Sequence, residues 1–112
     1  MTEDVVSRLA EERAQTLRQI GSLRASFDDI VAAADQVATD DEHDPEGHTI
    51  AWERQQVAAL LTAAEARLAE LDAAAARARA GTYGICESCG AAIPAARLEV
   101  LPTTATCVDC AP

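Results

Sequence analysis

The sequence predicts an all-α fold: a long antiparallel helical hairpin of coiled-coil type, followed by a small C-terminal finger built around four cysteines. Three observations carry that reading. Two long stretches keep apolar residues at alternating spacings of three and four, the period of a heptad seam. A short polar joint separates the two stretches. Beyond position 80 the helical periodicity stops and two Cys-x-x-Cys pairs take over. The chain therefore divides into a hairpin over residues 1–80, with an acidic tip at about 39–47, and a finger over residues 81–112.

In the first stretch, roughly Thr2 to Ala38, the seam runs through Val6, Leu9, Arg13, Thr16, Ile20, Leu23, Phe27, Ile30, Ala34 and Val37. Its weak point is Arg13–Thr16, where Leu17 is a candidate to take over by a local shift of face. Gly21 weakens the helix by about 1 kcal/mol relative to alanine. In the second stretch the seam runs through Ile50, Arg54, Val57, Leu61, Ala64, Leu68, Leu71, Ala75 and Ala78. Asp44 suits the N-cap, Pro45 the first helical position and Glu46 the first turn. Gly81 suits the residue just past the end, with Arg77 and Arg79 in the last turn where the helix dipole favours cations. At ~1.5 Å per residue each helix would run about 50 Å. The joint Thr39-Asp40-Asp41-Glu42-His43 is short enough to force the two helices antiparallel. A single long dimerising helix is the rival arrangement; Pro45 and Gly47 between two separately capped seams count against it.

Composition agrees with a thin fold. Hydrophobic residues make up 49% of the 112, but 26 residues are alanine, and Val, Ile, Leu and Phe together number only 22. With a net charge of −10 this is close to the composition of disordered chains. It excludes a sizeable α/β or β-sandwich core, so stability must come from long helices, a metal, crosslinks or a partner. Nineteen acids face nine arginines and no lysine, and the pI is near 4.4. That balance argues against phosphate-backbone binding and against an anionic membrane surface. No apolar run has the length of a membrane span. The acidic start Met1-Thr2-Glu3-Asp4 lacks the form of a secretory signal. A cytoplasmic location is expected, where cysteines serve as metal ligands more often than as disulfides.

The charge is concentrated. No base occurs between Arg24 and Arg54, and the 29 residues between them hold nine acids. Asp44 and Glu46 are accounted for by capping and the dipole. Asp40, Asp41 and Glu42 are not, because they follow the C-terminal end of the first helix, where the dipole disfavours anions. This leaves two readings: a solvated loop, or carboxylates presented to a basic or metal-containing partner. Catalysis by these carboxylates is not supported, since catalytic acids need a pocket to shift their pKa values. His43 and His48 belong to no closed ligand pattern and read as exposed loop histidines. Trp52, off the seam and near the tip, either covers a helix flank or serves as an aromatic contact for a partner.

Cys86-Glu87-Ser88-Cys89 and Cys107-Val108-Asp109-Cys110 stand seventeen residues apart, within the spacing of a four-cysteine zinc site. Four thiolates close a zinc tetrahedron at ~2.3 Å and leave no position for water, so the zinc would be structural. A redox dithiol needs a βαβ context that this chain lacks. Gly84, Gly90 and Pro94 read as turn residues, with short strands expected near Ala92-Ile93 and Leu98–Leu101. With one base, Arg97, against Glu87, Glu99 and Asp109, the finger is unsuited to nucleic acid. Arg97 is expected to anchor the finger to the foot of the hairpin.

The run Gly84-Ile85-Cys86-Glu87-Ser88-Cys89-Gly90, with Ile93, Arg97-Leu98-Glu99, Pro102-Thr103 and Cys107-Val108-Asp109-Cys110, resembles the zinc finger of the DksA/TraR family. That family also places an acidic-tipped helical hairpin before its finger, so the resemblance extends architecturally over nearly the whole chain. It implies a regulator that binds RNA polymerase rather than DNA. The coiled coil enters the secondary channel, the acidic tip approaches the catalytic Mg²⁺ and modulates initiation, and ppGpp acts alongside. An anionic rod entering a basic channel is electrostatically sensible.

The family's tip usually carries two Asp three apart. Asp41 and Asp44 have that spacing here, Asp44-Pro45 resembles its beginning, and Glu46 is a third candidate. The sequence stops two residues after Cys110, without the family's common helix after the finger.

The expectation is a monomeric, non-enzymatic regulator without sequence-specific DNA binding. One zinc would sit at Cys86, Cys89, Cys107 and Cys110, and the partner-binding tip would comprise Asp40, Asp41, Glu42, Asp44, Glu46 and Trp52. The alternative is a coiled-coil adaptor that docks another protein.

Overall fold

Helix α1 spans Thr2–Val37, α2 spans Pro45–Ala80, and a short α3 spans Ala95–Val100. The computed structural model describes residues 2–37 and 45–112. Among the described residues there is no strand beyond one isolated antiparallel bridge, Ile85–Ala92.

The helix ends follow from local chemistry. Glu3 and Asp4 sit in the first turn of α1, where the dipole favours anions. Pro45, with its preset φ and missing N–H, opens α2. Arg77 and Arg79 occupy the last turn of α2, and Gly81 follows with φ +79°. The Gly81 N–H donates to the Ala78 carbonyl at 3.3 Å and the Thr82 N–H to the Arg77 carbonyl at 2.9 Å. This is the paired Schellman closure that glycine in the left-handed region makes available.

The chain forms two compact units, one of residues 1–15 with 68–112 and one of residues 16–67. The expected boundary at 80/81 falls inside the first unit, which groups the finger with the end segments of both long helices. That unit has a core of Leu9, Leu71, Ala74 and Ala78, with Val5, Ala75 and Tyr83 packed against it. The second unit buries Thr16, Ile20 and Ala64, beside half-buried Leu23, Phe27, Ile30, Val57 and Leu61.

In each unit α1 lies against α2. Arg13 pairs with Asp72 at 2.6 Å and Arg24 with Glu65 at 3.9 Å. The number falls on α2 as it rises on α1, the signature of antiparallel packing. The seam departs from expectation at Val6 and Ala74, and at Thr16 it holds without the shift to Leu17. Val5, not Val6, packs against the first core, and Val6 is 37% exposed. Thr16 is buried while Leu17 is 42% exposed, because Thr16 stands seven residues from Leu9 and four from Ile20, so the heptad holds its polar member in. Ala74, off the expected seam, is fully buried, since it lies three residues past Leu71 and four before Ala78.

The ion pairs are exposed and contribute roughly 0–1 kcal/mol each, so the first unit rests on its small core. Leu71, 1% exposed, is expected to cost about 2–5 kcal/mol when replaced by alanine. Arg13→Ala should cost no more than about 1 kcal/mol. Denaturant unfolding of the two variants checks the contrast. No helix among the described residues is long and apolar enough to cross a membrane.

Candidate metal centre

The finger starts where α2 closes. Gly84 takes φ +82° and Gly90 φ +76°, conformations that side-chain-bearing residues disfavour. Gly84 and Gly90 flank the first knuckle. Within it the Cys86 N–H donates to the Ala91 carbonyl at 2.8 Å, the Gly90 N–H to the Cys86 carbonyl at 2.9 Å and the Ile93 N–H to the Gly84 carbonyl at 2.7 Å. The second knuckle is a turn in which the Cys110 and Ala111 N–H groups donate to the Cys107 carbonyl, at 3.2 and 3.0 Å. A bond from the Glu87 N–H to the Ala105 carbonyl, 2.9 Å, joins the first knuckle to the segment that leads into the second.

These turns bring the sulfurs of Cys86, Cys89, Cys107 and Cys110 within 4.8 Å of one another. The Sγ atoms of Cys89 and Cys107 are 3.8 Å apart. A tetrahedron with Zn–S bonds of ~2.3 Å has edges of about 3.8 Å, so the spacing fits zinc. It is far longer than the ~2.05 Å of a disulfide, and all four thiols are free.

Their protons are unevenly held. Backbone N–H groups of Cys107 and Cys89 point at the Cys86 sulfur and lower its pKa to about 6, against the cost of its burial. Hydrogen bonding with the Cys107, Cys86 and Cys89 sulfurs pushes Cys110 up to about 12. A divalent cation at the centre would take the place of these thiol protons and satisfy all four sulfurs. The chain holds one structural zinc, and with four protein ligands its shell is closed.

Two expectations for the finger are corrected. Leu98–Leu101 is not a strand: it lies in and just past α3, which opens with the Arg97 and Leu98 N–H groups on the Pro94 carbonyl, at 3.0 and 3.2 Å, and closes with the Leu101 N–H on the Arg97 carbonyl at 2.7 Å. Pro94 preorganises that turn, and Ala95 and Ala96 carry high helix propensity. Arg97 does not reach toward the helix ends. Its Nε donates to the Thr106 carbonyl at 3.0 Å and its Nη2 to the Thr104 hydroxyl at 3.5 Å, both inside the finger.

The ties between finger and helix ends are made by residues the sequence reading did not single out for this role. Arg8 donates to the Leu98 and Glu99 carbonyls at 3.5 and 2.6 Å. Arg77 donates to the Thr103 carbonyl at 3.0 Å and the Tyr83 hydroxyl to the Pro102 carbonyl at 2.8 Å. Burial raises the Tyr83 pKa, against the pull of Arg8 and Arg77. No local pattern in the sequence marks a bond between positions 8 and 99.

Of the expected tip, Asp40, Asp41, Glu42 and Asp44 lie outside the described residues, as does His43. Glu46 and His48 fall in the first turn of α2. Trp52 is 62% exposed.

Residues 81–112 match the prokaryotic dksA/traR C4-type zinc finger. An uncharacterized protein of Aquifex aeolicus (strain VF5) is 50% identical over 46 residues, which are 41% of this chain and 32% of that protein. The chain thus spans about a third of that curated relative's length. The structure of transcription factor DksA2 from Pseudomonas aeruginosa superposes with a TM-score of 0.56 at 24% identity, covering 92% of this chain and 79% of that one. Residues 81–112 are thus a finger of the dksA/traR C4 type, and the chain as a whole shares the fold of that transcription factor's structure.

Proposed function

We propose that this chain is a non-enzymatic transcription regulator that binds RNA polymerase. In this reading the acidic-tipped hairpin enters the secondary channel and modulates initiation in the cytoplasm, with ppGpp acting jointly. The observation that carries it is the family's C4 finger at residues 81–112 following two long helices whose fold matches that of a transcription factor over 92% of the chain. The charge pattern supports the same reading. Nine acids and no base between Arg24 and Arg54 suit approach to a basic channel. Trp52, exposed two turns into α2, is the aromatic contact in this scheme.

The test is co-elution of the purified full chain with purified core RNA polymerase, repeated in the presence of a second protein known to occupy the secondary channel. Co-elution that the competitor abolishes is the expected result. Failure to co-elute would favour the adaptor alternative, a hairpin docking some other protein. Run-off transcription with and without ppGpp then reads the joint effect.

A further inference from the structure

The segment Pro102–Thr106 has no regular secondary structure, yet four of its five carbonyls are held from outside the segment. The Tyr83 hydroxyl takes Pro102, Arg77 takes Thr103, the Glu87 N–H takes Ala105 and the Arg97 guanidinium takes Thr106. This strap leads directly into Cys107, and its last clamp, Arg97, acts on the peptide that delivers that sulfur. Arg97 also reaches the Thr104 hydroxyl, which in turn donates to the Thr106 carbonyl at 3.1 Å. The planar guanidinium thus fixes two points of the strap at once, a geometry that a lysine ammonium cannot reproduce.

We propose that Arg97 is the positioning residue for the second half of the zinc cage. It touches no sulfur through any of these bonds. It sets the direction of the chain at Thr106, so that Cys107 arrives opposite Cys89 at the 3.8 Å separation that a metal tetrahedron needs. The first knuckle has bonds of its own, the Ile85–Ala92 bridge and those of Cys86, Gly90 and Ile93, and meets the strap at the Glu87 N–H on the Ala105 carbonyl. Loss of Arg97 should therefore act first on Cys107 and less on Cys86 and Cys89, whose own turn bonds remain.

The experiment uses the zinc-loaded full chain. Zinc affinity is measured by chelator competition, and iodoacetamide labelling of each cysteine is mapped by peptide mass. Arg97→Ala is expected to lose about 10–100-fold in zinc affinity, the usual range for a group that orients a ligand, with Cys107 labelling rising ahead of Cys86. Arg97→Lys should restore only part of the affinity. Arg77→Ala, which frees the strap at Thr103 instead, should leave Cys107 labelling at the parent rate. An Arg97→Ala affinity within about twofold of the parent, well short of that range, overturns the proposal. So does labelling that rises equally at all four cysteines, or an equal Cys107 response to Arg77→Ala. Where Arg97→Ala does not fold, Thr104→Val decides: a smaller loss in the same direction supports the assignment, and unchanged affinity and labelling overturn it.

Discussion

Removing zinc from this chain is expected to abolish the ordered structure of residues 84–111 while leaving the helices of residues 16–67 folded. The finger buries too little to stand alone. Cys86 and Ile93 are its buried hydrophobic residues, whereas Ile85, Val100, Leu101 and Val108 are between 43% and 78% exposed. Its backbone order amounts to one bridge, one six-residue helix and a set of turns. Closed zinc sites contribute roughly 10–16 kcal/mol in apparent terms to finger peptides, far more than this burial can supply.

Hydrogen exchange with and without a strong chelator checks the point. Amide protection at Cys86, Gly90, Ile93 and Ala111 should disappear on chelation, and protection around Ile20 and Ala64 should persist. Cys86→Ser should have the same local effect without chelator. Persistent protection of the finger after complete zinc removal would falsify the metal's structural role. Acid should mimic the chelator, because zinc displaces protons from the thiols. Cys86, lowered to about 6, is already largely thiolate at neutral pH, but Cys110, raised to about 12, must surrender its proton to the metal. Zinc uptake should therefore release protons, and apparent affinity should rise with pH.

What was legible in the sequence was what depends on near neighbours. The zinc ligands were readable because a knuckle needs two cysteines at a fixed short spacing. The ends of α2 were readable because Pro45 and Gly81 impose backbone geometry on their own. The seam was readable to within one residue: the heptad periodicity located Leu9, Thr16, Ile20, Ala64, Leu71 and Ala78, all buried, but took Val6 where Val5 packs against the core and passed over Ala74. Hydrophobicity made Leu17 a candidate, whereas the spacing of seven from Leu9 and four to Ile20 on the same helix keeps Thr16 in. The short α3 was misread because Leu98-Glu99-Val100-Leu101 alternates like a strand, and the turn set by Pro94 outweighs that alternation. The bonds of Arg8, Arg77 and Tyr83 to the finger join positions up to 91 residues apart, and only the packed fold brings them together. Arg97 was recognised as a brace, but its partner followed from the course of the strap.

Reversing charge at Asp41, Asp44 and Glu46 to lysine is expected to abolish the regulatory effect on initiation while leaving the core of the chain intact. The three changes shift net charge by six units, from −10 to −4, all within the 29 residues that separate Arg24 from Arg54. None of the three belongs to either hydrophobic seam, so the burial at Leu9, Ile20 and Leu71 is untouched. The capping role expected of Asp44 from the sequence has to be separated out. Asp44 precedes Pro45, the first residue of α2, and loss of an N-cap costs about 0.5–2 kcal/mol. Asn suits an N-cap as well as Asp does and carries no charge, so a variant with Asp44→Asn and lysine at the other two positions isolates the electrostatic contribution.

Steering by like charges collected at one end accelerates association by roughly 10–1000-fold and weakens steeply with salt. Association of the parent chain with RNA polymerase should therefore slow as ionic strength rises, and that of the reversed variant should be slower and nearly insensitive to salt. Transcription assays at saturating protein then separate binding from effect. If the variant binds at high concentration but leaves initiation unchanged, the carboxylates act at the polymerase centre as well as on the way in. If it regulates like the parent once bound, the acids serve only for approach, and the effect on initiation must come from another part of the hairpin, with Trp52 the first residue to replace.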